Sequence, residues 1–235
     1  LIIGVGGVGS FAAESLVRSG AGHLSLVDFD DSCVTNANRQ LHALQSTIGK
    51  KKAEVMAERL SRINPQAEIQ AVAQFYNADT SEALLAQKTD LILDCIDNIT
   101  AKCLLLSMCR ERGIPVITSG GAGSRIDPLK ITVSDLSDTH TDPFLAQIRK
   151  NLHTCHGFPN EGALGIPCVF TTEPPRTPHE LEYDKGMGFK CVCPQGQNDF
   201  HSCERRNIIH GTASFITGTF GLIMASQAVK RFAQE

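Results

Sequence analysis

Three glycines, Gly4, Gly6 and Gly9, close the apolar strand of residues 1–5 and lead into a helix-forming stretch, and this GxGxxG spacing constrains the chain more than any other feature. A strand that ends in such a turn and feeds a helix aims backbone N–H groups and the positive end of the helix dipole at one point, where a phosphate is well held. A tight turn alone would account for one glycine but not for three at this spacing. The motif by itself does not choose between a dinucleotide and a nucleoside triphosphate.

The pattern downstream continues the alternation that the turn begins. A helix is predicted over 10–19, closed by Gly20 as a left-handed cap, then a strand over 24–29. A helix over 50–63 follows, with Met56, Leu60 and Ile63 on one apolar face and Asn64-Pro65 at its end. Further strands are expected at 69–73, 91–96 and 114–118, with helices at 81–87 and 101–112 between them. Strands alternating with helices predict an α/β fold, a Rossmann-like, doubly wound, mostly parallel sheet. From Lys130 the pattern changes. Ile131, Val133 and Leu136 alternate as in an antiparallel strand, so additional antiparallel strands are expected in the second half, with a helix over 142–152. The span 157–203 is rich in Pro, Gly and charge and reads as a long, flexible crossover loop. The uncharged run 208–229 carries too many polar residues for a membrane span; Ile216, Phe220 and Ile223 make it a packed helix.

A chain of 235 residues, 42% hydrophobic and 20% charged, can bury a full core, and one domain is expected. Residues 1–125 form its nucleotide-binding half, and 126–235 a half for substrate and dimer contacts. The net charge of -3 excludes a global positive field for nucleic acid but not local basic patches. Nine cysteines, an odd number scattered along an enzyme-like chain, argue for a reducing compartment, and the cytoplasm is the expected location. The chain opens on a strand without Met, so the natural protein is expected to extend upstream.

Asp28 ends the second strand about 20 residues after the turn, where a Rossmann site places the acid that binds ribose hydroxyls. Taken alone, that says NAD. The segment DFDDSCVTNANRQ, however, sets Asp28, Asp30, Asn36, Arg39 and Gln40 on one loop beside the turn. The ordered series GxGGVG (Gly4, Gly6, Gly7, Gly9), VDFD, NxxRQ, the lysine of GKKKAE and LILDCIDN resembles the adenylating domain of ubiquitin-activating, molybdopterin-activating and thiamine-activating enzymes. The resemblance implies ATP and Mg²⁺ as cofactors. Asp28 and Asp30 would hold the ribose and its surroundings, Asn36 and Arg39 the phosphates, and Lys52 a phosphate, while Lys50 and Lys51 face solvent. Asp97 would bind magnesium, and Asn98 beside it and Gln40 would contact the nucleotide. Asp94 competes with Asp97, as a structural acid capping a neighbouring turn. Attack of a carboxylate on the α-phosphate joins two anions, so Arg39, Lys52 and the ion at Asp97 are the expected catalytic charges.

TSGGAGSRIDPLKITVSDL, the later DPF, the tail TGTFGLIMASQAVKR and Leu41-His42-Ala43-Leu44 resemble the tRNA threonylcarbamoyladenosine dehydratase branch. That likeness implies ATP-dependent activation of the threonylcarbamoyl carboxylate on a tRNA adenosine beside the anticodon, then ring closure with loss of water. It also implies a homodimer. Arg125, Lys130, Arg149, Lys150, Arg205 and Arg206 are candidate RNA phosphate contacts, against a reading as scattered surface charge. One alternative is an enzyme that adenylates a ubiquitin-like sulfur carrier, for which two CxxC pairs are expected and none is present; another is an NAD-dependent dehydrogenase. Zinc at Cys191, Cys193, His201 and Cys203 is weighed against unliganded thiols, which CxC followed by HxC favours. Sulfur transfer at Cys203, with a sulfur-transfer protein as partner, is a further alternative. His42 and Cys95 read as core residues.

Overall fold

The computed structural model describes residues 1–178 and 210–233. Seven strands form one sheet in the order β3-β2-β1-β4-β5-β7-β6. They are β1 (Ile2–Ile3), β2 (His23–Val27), β3 (Glu68–Val72), β4 (Ile92–Asp94), β5 (Val116–Ser119), β6 (Ile131–Asp135) and β7 (Pro167–Thr171). All neighbours run parallel except β6 and β7, which are antiparallel. The helices are α1 (Gly9–Arg18), α2 (Lys52–Ile63), α3 (Ala78–Leu84), α4 (Ile99–Arg112), α5 (Pro143–His156) and α6 (Ser214–Phe232). The mostly parallel, doubly wound arrangement agrees with the sequence pattern.

Successive strand residues point to opposite faces, and here both faces are dry. Ile2, Leu26, Leu93, Ile117 and Val169 join the core beneath α1, α2 and α6. Their chain neighbours Ile3, Val27, Ile92, Val116 and Cys168 join the other core, against α4 and α5. Helix ends follow local chemistry: Asn98 caps α4, accepting from Ala101 N at 3.0 Å, and Gly113 closes it at φ 65°. Asp142 caps α5, Pro143 opens it and Gly157 closes it in the left-handed region.

α1 and α6 pack unusually close. A Cβ at Gly221 would lie 2.4 Å from Val8 O and 2.8 Å from Phe11 Cβ, so α6 reaches α1 only because glycine stands there. Ile216 and Phe220 of α6 are fully buried and Ile223 packs against the same core, as the periodicity predicts. Among the described residues no helix is long and apolar enough to cross a membrane.

Two expectations need correction. The span read as a crossover loop contains β7, an interior strand of the sheet whose Cys168, Val169 and Phe170 are almost fully buried. Gly165 ahead of it and Pro167 as its first residue disguised so short an apolar run. The second helix begins at Lys52 rather than residue 50, because Lys51 is drawn into a bridge with Asp31. Lys51 therefore does not simply face solvent: its Nζ lies 2.8 Å from Asp31 Oδ1 and donates to Phe29 O at 3.1 Å.

Candidate functional site

The strand order reverses between β1 and β4, and open parallel sheets bind ligands at the carboxyl ends of the strands beside such a switch point. The glycine turn sits there and is closed on itself. Gly4 has φ +90°, and a Cβ on it would meet Cys95 O, at the end of β4, at 2.7 Å. A Cβ at Gly9 would lie 1.9 Å from Gly4 O. Neither position admits a side chain. Gly6 is different: the nearest atom to a Cβ there is Gln40 Nε2 at 3.6 Å, so the backbone is open on that side. Gly7 faces the side chain of Thr217 in α6. The residue ahead of α1, Val8, supplies no side-chain cap, and the first turn holds no acid, which leaves the positive end of the helix to an anion.

The loop from Asp28 to Lys52 wraps this turn. Asp28 accepts from Val5 N at 2.7 Å and from Asp30 N at 2.9 Å, tying the exits of β1 and β2 together. Lys52, 6% exposed, pairs with Asp30 Oδ2 at 2.6 Å, and Asp30 Oδ1 is buried without a partner. Burial disfavours the Lys52 ammonium, but the carboxylates of Asp28, Asp30 and Asp97 outweigh it and hold its pKa above the usual lysine value. Burial pushes the Asp28 carboxyl up, with Lys52 and two backbone N–H groups pulling the other way. Lys52 is thus a permanent cation set among acids at the floor of the site.

Gln40 is buried, with Oε1 unpartnered and Nε2 beside Gly6. Asn36 is buried as well; its Oδ1 accepts from Cys33 N at 3.3 Å and shapes the turn that carries Arg39. Arg39 donates to Thr35 O and to Asn38 Oδ1, which holds the guanidinium over the loop. Asp97 and Asn98 are exposed beyond β4. Asp97 lies close enough to act on Lys52, whereas Asn98 is the cap of α4. Asp94 is the structural acid of the pair: fully buried, it accepts from Ile96 N, Thr118 Oγ1 and Lys102 Nζ.

Several site features were not legible in advance. Lys102, completely buried against Asp94, sits in a stretch that reads as an ordinary helix face. Arg125 is 5% exposed and bound to Gly123 O, Glu173 O and Asp142, so it is no RNA phosphate contact. Arg149 is bound to Thr139 Oγ1, and Lys130 and Lys150 are exposed. His42 is buried with both ring nitrogens unpartnered, its pKa pushed down to about 3 by burial and by Lys52, so the imidazole is neutral. Cys191, Cys193, His201, Cys203, Arg205 and Arg206 lie outside the described residues. Among the described residues no group of three metal-ligating side chains occurs. Of the described cysteines only Cys155 is exposed, and burial pushes the Cys103 thiol up to about 11 and those of Cys109 and Cys168 up to about 12. Concavities of about 700 and 1200 Å³ open at the opposite, amino end of the strands, away from this chemistry.

The rim of the site is completed by the second half of the chain. Ser124, on the loop after β5, donates its N–H to Gly211 O at 2.7 Å and accepts from Arg176 N at 2.8 Å. Asn38 Nδ2 donates to Thr212 O at 2.8 Å.

Comparison with known proteins finds likeness along nearly the whole chain. The tRNA threonylcarbamoyladenosine dehydratase of Escherichia coli K12 is 39% identical over 232 residues, covering 98% of this chain and 84% of the relative. The crystal structure of the E. coli tRNA N6-threonylcarbamoyladenosine dehydratase in complex with ATP superposes with a TM-score of 0.82 at 38% identity, covering 99% of this chain and 84% of the other. The molybdopterin-synthase adenylyltransferase of E. coli K12 is 36% identical, but over 138 residues, 59% of this chain and 54% of the relative. The model of the ThiF family matches residues 1–235, and the chain belongs to that family.

Proposed function

We propose that the protein is an ATP-dependent tRNA threonylcarbamoyladenosine dehydratase, which transfers AMP to the threonylcarbamoyl carboxylate and closes it into a ring with net loss of water. The observation that carries this reading is the extent of likeness: it runs through both halves for the dehydratase and covers little more than half the chain for the adenylyltransferase of molybdopterin synthase. An NAD-dependent dehydrogenase would have no use for a buried, permanently charged Lys52 at the phosphate turn.

The residues fit the triphosphate. The open backbone at Gly6 and the uncapped end of α1 receive phosphate oxygens. The unpartnered Asp30 Oδ1 and the remaining lone pairs of Asp28 accept ribose hydroxyls. Lys52, Arg39 and Gln40 supply positive charge and donors where the α-phosphate gains negative charge. Asp97, exposed just beyond β4, would hold Mg²⁺, which would supply positive charge to the pyrophosphate as it leaves. Residues 1–125 supply the nucleotide site, and 126–235 the acceptor side.

The partner is tRNA, with exposed Lys130 and Lys150 as phosphate contacts. A second copy of the chain covers the outer stripe of α6, where Phe215, Leu222, Val229 and Phe232 stand exposed. Buried, unpaired thiols suit the cytoplasm.

The test is direct. The protein is mixed with ATP, Mg²⁺ and tRNA bearing threonylcarbamoyladenosine, and the digested nucleosides are weighed by mass spectrometry. Loss of one water that vanishes in Arg39→Ala supports the proposal. Unchanged tRNA with ATP still bound would move the assignment to a protein tail as acceptor.

A further inference from the structure

The rim of the site carries a serine and a histidine that AMP transfer does not use. Ser124 Oγ and His210 Nδ1 are 2.8 Å apart. The contact is built rather than incidental. Ser124 has φ +58°, in the left-handed region that residues with a Cβ seldom enter, although Gly121 and Gly123 stand close by in sequence. Its backbone is fixed from both sides by Gly211 O and Arg176 N. At Gly123 a Cβ would come within 3.1 Å of His210 Cβ, so the missing side chain is what lets the histidine approach.

The pair also sits where acceptor chemistry must occur. Ser124 follows β5, at the same end of the sheet as the glycine turn. Two residues past His210, Thr212 O accepts from Asn38, the neighbour of Arg39. Five residues further on, Thr217 packs on Gly7, 3.0 Å from where its Cβ would stand. The segment bearing His210 therefore runs from Ser124 across the Arg39 loop to the phosphate turn.

We infer that His210 is the base for ring closure and Ser124 its positioning residue, an inference that rests on the dehydratase reading. Once the carboxylate carries AMP, the ureido group of the same substrate is within reach of the acyl carbon. Its oxygen or nitrogen forms the new bond to that carbon. The acyl carbon–oxygen bond to the phosphate breaks, and its electron pair leaves with AMP, which takes away the former carboxylate oxygen. One ureido N–H proton must depart, and His210 Nε2 accepts it. With Nδ1–H donating to Ser124 Oγ, Nε2 holds the free lone pair that this step requires.

The two halves of the reaction separate the possibilities. Exchange of labelled pyrophosphate into ATP in the presence of modified tRNA reads AMP transfer, and mass spectrometry of the nucleoside reads closure. In His210→Gln, exchange stays within about twofold of wild type while closure falls about 100-fold or more, the usual worth of a general base, and hydroxylamine traps the activated carboxylate. Ser124→Gly relieves the backbone, so it melts at or above the wild-type temperature, yet closure slows about tenfold with exchange unchanged. Wild-type closure in His210→Gln overturns the proposal. So does an equal fall of exchange and closure, which would make His210 a binding or folding residue. Wild-type protein that shows exchange without any water loss would instead refute the dehydratase reading itself, and the proposal with it.

Discussion

Replacing Lys102 by Met should be among the most damaging single changes outside the nucleotide site. Lys102 and Asp94 are both completely buried, with Nζ 2.7 Å from Oδ2. Nζ also donates to Thr118 Oγ1 at 3.0 Å, and Thr118 Oγ1 in turn donates to Asp94 Oδ2 at 2.7 Å. Methionine preserves most of the aliphatic volume below Phe144, so the loss isolates the charge. It leaves the Asp94 carboxylate without a cation in an apolar interior, which costs about 3–5 kcal/mol. For a chain of this size each kcal/mol moves the melting temperature by about 2–4 °C, so a drop of about 6–20 °C is expected. Urea denaturation followed by circular dichroism measures the same loss as a shift in midpoint at constant slope. The double variant Asp94→Asn/Lys102→Met removes both charges while the side-chain amide oxygen still accepts from Ile96 N or Thr118. It should recover at least about half of the lost stability, a coupling that a double-mutant cycle reads directly. A Lys102→Met protein within about 1 kcal/mol of wild type, or a double variant whose loss equals the sum of the single losses, would refute the argument.

Gly221→Ala forces a methyl into Val8 O and Phe11, and should cost about 1–3 kcal/mol by thermal denaturation, whereas the same change at exposed Gly211 should cost less than about 1. Lys52→Met should weaken ATP binding roughly 10- to 150-fold by calorimetry, the worth of one charge-assisted contact, with undiminished affinity counting against the site. Glu173 tests the acid limb. Burial raises its carboxyl, but hydrogen bonds from Asp127 N and Ile126 N, with help from Arg176, hold it below the usual 4.5. Its contribution is therefore full above that value and is lost as pH falls through the lower folded value. The stability gap between wild type and Glu173→Gln should be present at neutral pH and close in acid, and a gap that widened in acid would contradict the assignment.

What the chain discloses before folding depends on whether a residue's role is local. The glycine turn, Asp28 and the polar loop to Lys52 are read from spacing, because backbone geometry at a strand–helix junction demands glycine whatever surrounds it. Lys52 is told from Lys50 and Lys51 by position alone, although its burial is visible only in the fold. Lys102 and Arg125 were illegible for a different reason. A cation on a helix or a loop reads as solvated, and nothing nearby in sequence announces that Asp94 and Asp142 close over them. β7 was hidden by its surroundings: five residues that open on Pro167, just behind Gly165, have too little periodicity to compete with the composition around them. Asn98, which the resemblance assigns to the nucleotide, has a second role that only the fold discloses, since its Oδ1 caps α4.

The two bonds at the Ser124 backbone have a consequence for how such a protein can diversify. Arg176 and Gly211 are stapled to the same residue, so the chain between them departs from and returns to one spot on the rim. Lengthening a closed segment is thermodynamically mild, about 0.6 kcal/mol for each doubling, and here a change in length would not strain the sheet. Insertions or deletions between Arg176 and Gly211 therefore leave the phosphate turn and both cores as they are. The staple, rather than the length of chain between its two ends, is what fixes the rim at Ser124, and varying that length while following the melting temperature is the way to check it.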